Sequence, residues 1–352
     1  MAVAGGEEVR CAHLHSATAA HRRGTPGSIA RRAEAMLSYL IKRLGMTVVV
    51  VFLSTLFLAS LVHFIPGDPV RTILGPRATP SMSARVREEM GLDKPIPLQL
   101  LDFFTGVLRG DLGSDFLTHQ PVTRMIGQAL PHTLILAVAG LGLAILLGIP
   151  LGIYSAAHPN TWVDRVTGIV SVAFISLPAY VAGLLLLLCF AVLFRLFPAI
   201  GVGDMSDPVD YLRHLVLPSA ALAMLWIGYL ARLVRASVLE VLNANYIRTA
   251  FAYGLSERLV FYKYALKNAI IPTVAMLGIG MGSLLGGAIF VEVIFTRPGL
   301  GRLMFDAISS RNYPVVRGGV LVTSLLFVLA NLLADLSYHF LDPRIQYQET
   351  RQ

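Results

Sequence analysis

The sequence is poor in charge, in cysteine and in every short motif that would give a membrane protein chemistry of its own. Only 14% of its 352 residues are charged, against roughly 25% in an ordinary soluble domain, while 55% are hydrophobic. That imbalance excludes a single soluble core, because so much apolar side chain has to meet lipid. Two cysteines, Cys11 in a polar tail and Cys189 in an apolar run, exclude a disulfide framework and a structural zinc site. There is no G-x-x-x-x-G-K-[ST] loop to cradle phosphates, no H-E-x-x-H for zinc hydrolysis and no G-x-S-x-G nucleophile elbow. No chain of intramembrane charges of the kind proton-coupled carriers use is visible either. Energy for transport would therefore come from outside the chain. A net charge of +8 on a polytopic protein first suggests basic cytoplasmic loops, so nucleic acid is not an expected partner.

What is there is apolar length. A bilayer core needs about 20 apolar residues as helix, and six stretches qualify: 44–65, 130–157, 166–194, 215–231, 269–291 and 318–340. The fourth and sixth are the weakest, since Arg232 closes one early and Asp335 and His339 sit within the other. An even count puts both termini on one side. Leaving out the long segment 66–129, the terminal side carries thirteen Lys and Arg, including Arg232, Arg235, Arg248, Arg258, Lys263 and Lys267 between spans four and five, against six opposite. Both termini are therefore expected in the cytoplasm, in a multi-pass protein of the cytoplasmic (inner) membrane. Pro131, Pro218 and Pro272 stand where spans begin, whereas Pro150 and Pro178 lie inside spans and should kink them. The expected fold is all-α and polytopic. Residues 1–35 have no hydrophobic period and no signal-peptide core. They read as a disordered basic tail, either upstream of a native start at Met36 or lying against the anionic inner leaflet. Residues 347–352 form a short cytoplasmic tail.

Several local constellations carry possible function. Gly201-Val202-Gly203-Asp204 spells the G-x-G-D string of intramembrane aspartyl proteases, but a dyad needs a second carboxylate at matching depth. The candidates, Asp335 and Glu292, lack that context, and a solvated glycine-rich turn explains the string. Between spans four and five, Gly254 can end one helix with a positive φ and Ser256 can cap the next, giving a helix-turn-helix elbow able to pass a push from a soluble partner into the membrane. The alternative is an interfacial loop whose Lys263 and Lys267 reach lipid phosphate. In span five, Gly278, Gly282 and Gly286, with Ser283 beside them, make a face that another backbone can approach closely. It serves either packing within the chain or the seam and path of a transporter. Asn331 and Asp335 in span six should face protein or a water-filled cavity, and Glu292 is a gate or a salt-bridge partner of Arg297. In the outer segment 66–129, Leu98, Leu101, Phe104 and Leu108 recur at helical spacing and ask for burial.

The segment from Tyr246 to Ser256, Tyr-Ile-Arg-Thr-Ala-Phe-Ala-Tyr-Gly-Leu-Ser, followed by Ala265-Leu-Lys-Asn-Ala-Ile-Ile-Pro272, resembles the EAA loop of ABC-importer permeases in the form seen in the dipeptide/oligopeptide branch. Arg248-Thr249-Ala250 stands where the general motif has Glu-Ala-Ala. Further matches follow in order: Ile65-Pro-Gly-Asp-Pro69, Gly91-Leu-Asp-Lys-Pro95, Leu108-Arg-Gly-Asp-Leu-Gly113, Ala129-Leu-Pro131, His214-Leu-Val-Leu-Pro218, Val291-Glu-Val-Ile-Phe295 with Pro298-Gly-Leu-Gly301, and Leu341-Asp-Pro-Arg-Ile345. The resemblance covers residues 36–346 and implies a six-helix permease domain of the type I importer fold, with 66–129 as its extracytoplasmic loop and 232–268 as its coupling loop. It further implies import of di- or oligopeptides, or of a related cargo such as nickel or glutathione, by alternating access. The partners implied are a second, homologous permease subunit, one or two P-loop ATPase subunits, an extracytoplasmic substrate-binding protein and membrane lipid. The chain would be no enzyme: it would bind no cofactor or metal, and the ATPases would hold ATP and Mg. Tyr246, Arg248, Thr249, Ala250, Gly254, Leu255 and Ser256 would contact them. Gly278, Gly282, Ser283, Gly286, Glu292, Asn331 and Asp335 would line the path or the seam between permeases. The rival reading is an autonomous secondary transporter or channel.

Overall fold

A computed structural model describes residue 41 and residues 45–57, 79–89, 93–116 and 118–341. The expectations for residues 1–35 and 347–352 and for the Ile65–Pro69 motif lie outside them. Two compact units divide the chain after Val50. The first contributes residue 41 and residues 45–50, all helical, and the second holds every other described residue.

Among the described residues the architecture is helical, with one isolated antiparallel bridge between Ser114 and Pro121. After the short apolar helix α1 (Gly45–Phe57) come α2 (Pro80–Glu89) and α3 (Ile96–Leu108) in the long connecting segment. The long helices are α4 (Val122–Ala157), α7 (Pro208–Leu242), α10 (Ile271–Ile294) and α12 (Tyr313–Leu341). Between α4 and α7 lie α5 (Trp162–Ser176) and α6 (Ala179–Leu193), which meet at 107°. Beyond α7 stand α8 (Asn245–Ala252) and α9 (257–269), and α11 (Leu300–Ser309) joins α10 to α12. Among the described residues four helices are long and apolar enough to cross a membrane, or five when the bent pair is counted as one span. The sixth expected span begins in α1 and runs outside the described residues.

Two boundaries differ from the expectation for one reason. Helix α4 starts at Val122 and α7 at Pro208, so Pro131 and Pro218 lie inside helices and not at their starts. Neighbouring helices re-satisfy the backbone groups that an internal proline frees in a membrane protein. Pro272 does stand in the first turn of α10. Pro178 goes further than a kink: Leu177 is extended (ψ 115°), as the residue before a proline prefers, and the helix breaks there.

Helix α7 is the centre of the molecule. Its membrane segment is two-thirds buried, against about a third in α4, α10 and α12. The largest core cluster gathers Leu136 and Ala144 of α4, Leu222, Trp226 and Leu230 of α7, Leu284 and Ala288 of α10, and Phe295. Span four looked weak in sequence because Arg232 closes it early, yet its helix continues to Leu242, and its large side chains Leu217, Leu222, Trp226 and Leu230 are buried in protein. The contact with α4 is backbone to backbone. A Cβ on Gly148 would stand 2.9 Å from the Ile227 carbonyl oxygen, and one on Gly152 would stand 2.6 Å from that of Ala231 and 2.8 Å from Val234 Cβ. This is a small-xxx-small approach in span two, where the sequence pattern had pointed to span five. Leu146, Ile169, Leu184 and Leu193 point outward from the other faces.

The stripe expected to be buried in α3 is turned outward: Leu98, Leu101 and Leu108 are exposed, while Gln99, Leu100 and Phe103 are buried and Phe104 half-buried. Helix α3 is apolar on most of its circumference, so Leu100 and Phe103 make a second stripe at helical spacing. Phe103 packs with Val51 and Leu321, and Phe104 stacks on Phe52 at 5.9 Å.

Gly152→Val should therefore fail to pack α4 on α7, at a cost of about 1–3 kcal/mol or more for an overfilled core. Gly142→Val, where a Cβ meets open space, should leave stability near that of the unaltered protein. Heat-induced unfolding of both variants in detergent checks the contrast.

Candidate functional site: an exposed elbow and a buried cap

The elbow between α7 and α10 is built as the sequence suggests and more tightly. At the end of α8 the Gly254 amide donates to the Phe251 carbonyl (2.9 Å) and the Leu255 amide to the Ala250 carbonyl (3.3 Å), with Gly254 at φ +75°. Those two bonds, with Leu255 and Ala250 in one apolar cluster, make a Schellman stop. Ser256 stands at the start of α9, but its side chain caps nothing; the Val260 amide donates to its backbone carbonyl instead (3.0 Å). The middle of α9, Val260–Ala265, is wound as a π-helix. Ile247, Ala250, Val260 and Ala265 close a small core beneath the elbow, and Asn268 Nδ2 donates to the Tyr246 hydroxyl at 3.0 Å.

What the elbow presents outward is aromatic and basic. Tyr246, Phe251, Tyr253 and Tyr262 are exposed, Tyr253 at 82%, together with Arg248, Thr249, Arg258 and Lys263. Of the seven residues expected to contact a partner, Tyr246, Arg248, Thr249, Gly254 and Ser256 are exposed; Ala250 is buried and Leu255 half-buried, so these two hold the elbow's shape. Phe251, Tyr253 and Tyr262 were not singled out in sequence, although their size and apolar rings at a polar turn were a usable signal. An exposed aromatic surface of this kind suits contact with a protein or with the membrane surface.

The residues expected at the seam or path separate into two groups. Along α10, Ile279, Ser283, Gly286 and Phe290 share an exposed face, and a Cβ on Gly286 would meet nothing within 4 Å. Gly278 is half-buried beside them. Gly282 faces inward, its Cβ position 3.0 Å from the Phe327 ring and 3.7 Å from Asn331 Nδ2. Gly282 and Asn331 thus serve packing of α10 on α12 within the chain. Asp335 lies on α12, and its side chain falls outside the described residues.

Glu292 is neither a gate facing an open path nor an ion-pair partner of Arg297. It is fully buried and caps the start of α11. Its Oε2 accepts the amides of Gly301 (2.8 Å) and Arg302 (3.2 Å), and its Oε1 accepts the Thr133 hydroxyl (2.6 Å). Thr133 Oγ1 in turn accepts the Leu300 amide at 2.7 Å. A carboxylate at a helix N-terminus satisfies orphan amides and opposes the helix dipole, and so the side chain turns away from Arg297. The Pro-Gly-Leu-Gly run now has a reason: a Cβ on Gly299 would run into the Glu292 carboxylate, and one on Gly301 would run into Ile289 Cα. The turn before it is strained, with the β-branched Thr296 at φ +53°. Arg297, also fully buried, donates from Nη1 to the His214 carbonyl (3.3 Å) and lies 5.8 Å from the Tyr211 ring. Burial pushes its guanidinium pKa down, while Tyr211 and Glu292 push it up.

The G-x-G-D string is a turn. Gly201 and Gly203 have φ +94° and +74°. Asp204 is exposed and accepts the Ser206 hydroxyl (2.6 Å) and amide (2.9 Å), which hold its carboxyl below the usual range.

Residues 148–347 match the family described as binding-protein-dependent transport system inner membrane component, and residues 36–137 match the N-terminal family of such membrane components. The chain is 40% identical over 313 residues to the glutathione transport system permease protein of Pectobacterium atrosepticum, covering 89% of this chain and 100% of that one. It is 37% identical over 333 residues to the dipeptide transport system permease protein of Alkalihalophilus pseudofirmus, covering 89% and 100%. A probable peptide ABC transporter permease protein of Sinorhizobium fredii is 38% identical over 310 residues, covering 88% and 99%. In fold, the chain is similar to an inward-facing structure of the MetNI methionine ABC transporter, with a TM-score of 0.52 at 17% identity, over 62% of this chain and 96% of that one.

Glu292→Ala should destabilise the protein by about 2–3 kcal/mol, because it strands buried amides and a hydroxyl that were bonded to a charged group. Glu292→Gln, which keeps an acceptor, should cost less. Unfolding midpoints of the two variants, compared in one detergent, test the order.

Proposed function

The chain belongs to the binding-protein-dependent transport system inner membrane component family and is an ABC-type transport permease, and from that premise we propose that it imports di- or oligopeptides, or a related small cargo such as glutathione or a nickel complex. The relatives' names support the peptide and glutathione side of that range. In this reading the chain catalyses no reaction; P-loop ATPase subunits bind ATP and Mg and dock on the elbow, a second permease subunit pairs with this one, and an extracytoplasmic binding protein delivers cargo. Both termini and the elbow lie on the cytoplasmic side, as the Lys and Arg balance requires.

The observation that carries the reading is the elbow: a stiff two-helix unit, stopped at Gly254 and cored by Ile247 and Val260, that offers Tyr246, Phe251 and Tyr253 to a partner. ATPase closure pushes α8, the two permease subunits rock against each other, and the path opens to the binding protein. The exposed α10 face of Ile279, Ser283, Gly286 and Phe290 supplies the seam or the path wall. On the other side of the membrane, the exposed face of α3 helps seal the mouth during delivery.

Three measurements test this. Uptake of short peptides into proteoliposomes should require ATP, the ATPases and the binding protein; uptake driven by an ion gradient with this chain alone overturns the assignment. Gly254→Val forces a β-branched side chain into a positive φ. It should abolish uptake while leaving membrane insertion intact, and normal uptake would remove Gly254 as the stop between coupling helices. Cysteines at Asp102 and Thr105, both exposed on α3, should crosslink to the binding protein when the ATPases are trapped with ATP. Crosslinks to the permease alone in every state leave α3 a packing role only.

A further inference from the structure

Helix α7 extends about two turns beyond Arg235 before it turns into α8. At Arg235 it is gripped. Nε donates to Asp164 Oδ1 at 2.5 Å and Nη2 to Oδ2 at 2.8 Å, a two-pronged pair between residues 71 apart. The same carboxylate accepts the hydroxyl of Ser155, from the last turn of α4, at 2.5 Å and the amide of Asn160, in the α4–α5 turn, at 2.9 Å. Asp164 and Ser155 are buried. Asn160 reaches its place with φ +63°. The other ion pairs described, Lys94 with Asp102, His214 with Asp210 and Arg302 with Asp306, join residues four or eight apart within local turns.

The surroundings make this corner a block. On one side of α7, Gly152 brings α4 against Ala231 and Val234. On another, Gly228 brings α5 so close that a Cβ there would stand 2.5 Å from the Ser171 carbonyl oxygen. Such glycine contacts fix how far apart helices lie but resist sliding and rotation poorly. A guanidinium fork on a carboxylate fixes direction as well as distance. The Ser155 and Asn160 bonds hold the carboxylate to the α4–α5 corner, and rotation of α7 against α5 would break both bonds of the fork together.

We propose that Asp164 and Arg235 are the positioning pair that makes the end of α7, with α8 upon it, move as one body with the adjoining ends of α4 and α5. This rests on the reading of α8 as the docking helix for the ATPases. A push received at α8 then passes into α5 and, through the break at Pro178, to α6. Without the pair, the two turns of α7 beyond Arg235 are left to apolar packing around Val238, Ala156 and Ala269, which fixes distance and not direction, and part of the push is lost. The pair touches neither cargo nor nucleotide.

The test uses the complete importer, purified by a tag on this chain. Asp164→Asn and Arg235→Lys, the latter keeping charge but losing the fork, should leave the ATPase subunits bound and hydrolysing. The ATP spent per molecule imported should rise about tenfold in D164N, the size of an ordinary coupling between sites, and less in R235K. An unchanged ratio in both variants, with ATPases bound, overturns the joint alone. Absence of ATPase subunits from the unaltered complex overturns the docking reading and the joint with it. A second measurement does not depend on either variant folding. Spin labels on cysteines at Trp162 and Glu240, both exposed, with Cys11 and Cys189 replaced by serine and residues 164 and 235 left native, report the distance across the pair. The same distance in nucleotide-free and ATP-trapped complexes supports a single body; a change between the states overturns it.

Discussion

The backbone of α4 lies directly on that of α7 at Gly148 and Gly152, and the remaining long helices take their places from this contact. Lipid tails give no hydrophobic reason for two helices to associate, so close van der Waals packing has to hold them. Once α4 and α7 meet, α10 completes the cluster around Leu222 and Trp226, α12 covers α10 at Gly282, and α5 seats itself on Gly228. The polar pins, Glu292 with Thr133 on one side of the membrane and Asp164 with Arg235 on the other, then fix rotation at the two ends of the packed middle.

This division of labour suits an alternating-access machine. Apolar helix contacts tolerate small slides, while hydrogen-bonded corners are made or broken as units. The side with α11 has its corner in a carboxylate capping a short helix; the side with α8 has its corner in an ion pair beside the exposed elbow.

Much of this was legible in the sequence. Apolar length located the described spans, because about 20 apolar residues are what a bilayer demands, and Gly254 announced a helix stop that the φ of +75° bears out. The rest was hidden for identifiable reasons. Pro131 and Pro218 read as helix starts because a sequence does not reveal which neighbours rescue an internal proline. In α3 two apolar stripes competed, and periodicity could not say which of Leu101 or Phe103 faces the protein. Glu292 looked like a partner for Arg297 since they lie five residues apart, yet the orphan amides of α11 come from a helix whose docking no local pattern specifies. Asp164 and Arg235, 71 residues apart, gave no local signal.

The break at Pro178 has a consequence for biosynthesis. Helices α5 and α6 have 15 residues each before and after it, counting the π-wound end of α6, and neither alone reaches the about 20 that a crossing needs. Only taken together as one apolar segment do they have the length of a crossing. The 107° bend gains its supports only later, when α7 arrives to set Gly228 against Ser171 and Ala221 against Gly183. The bend therefore takes its final shape only after α7 has been made, and the folding of this pair waits on a later helix.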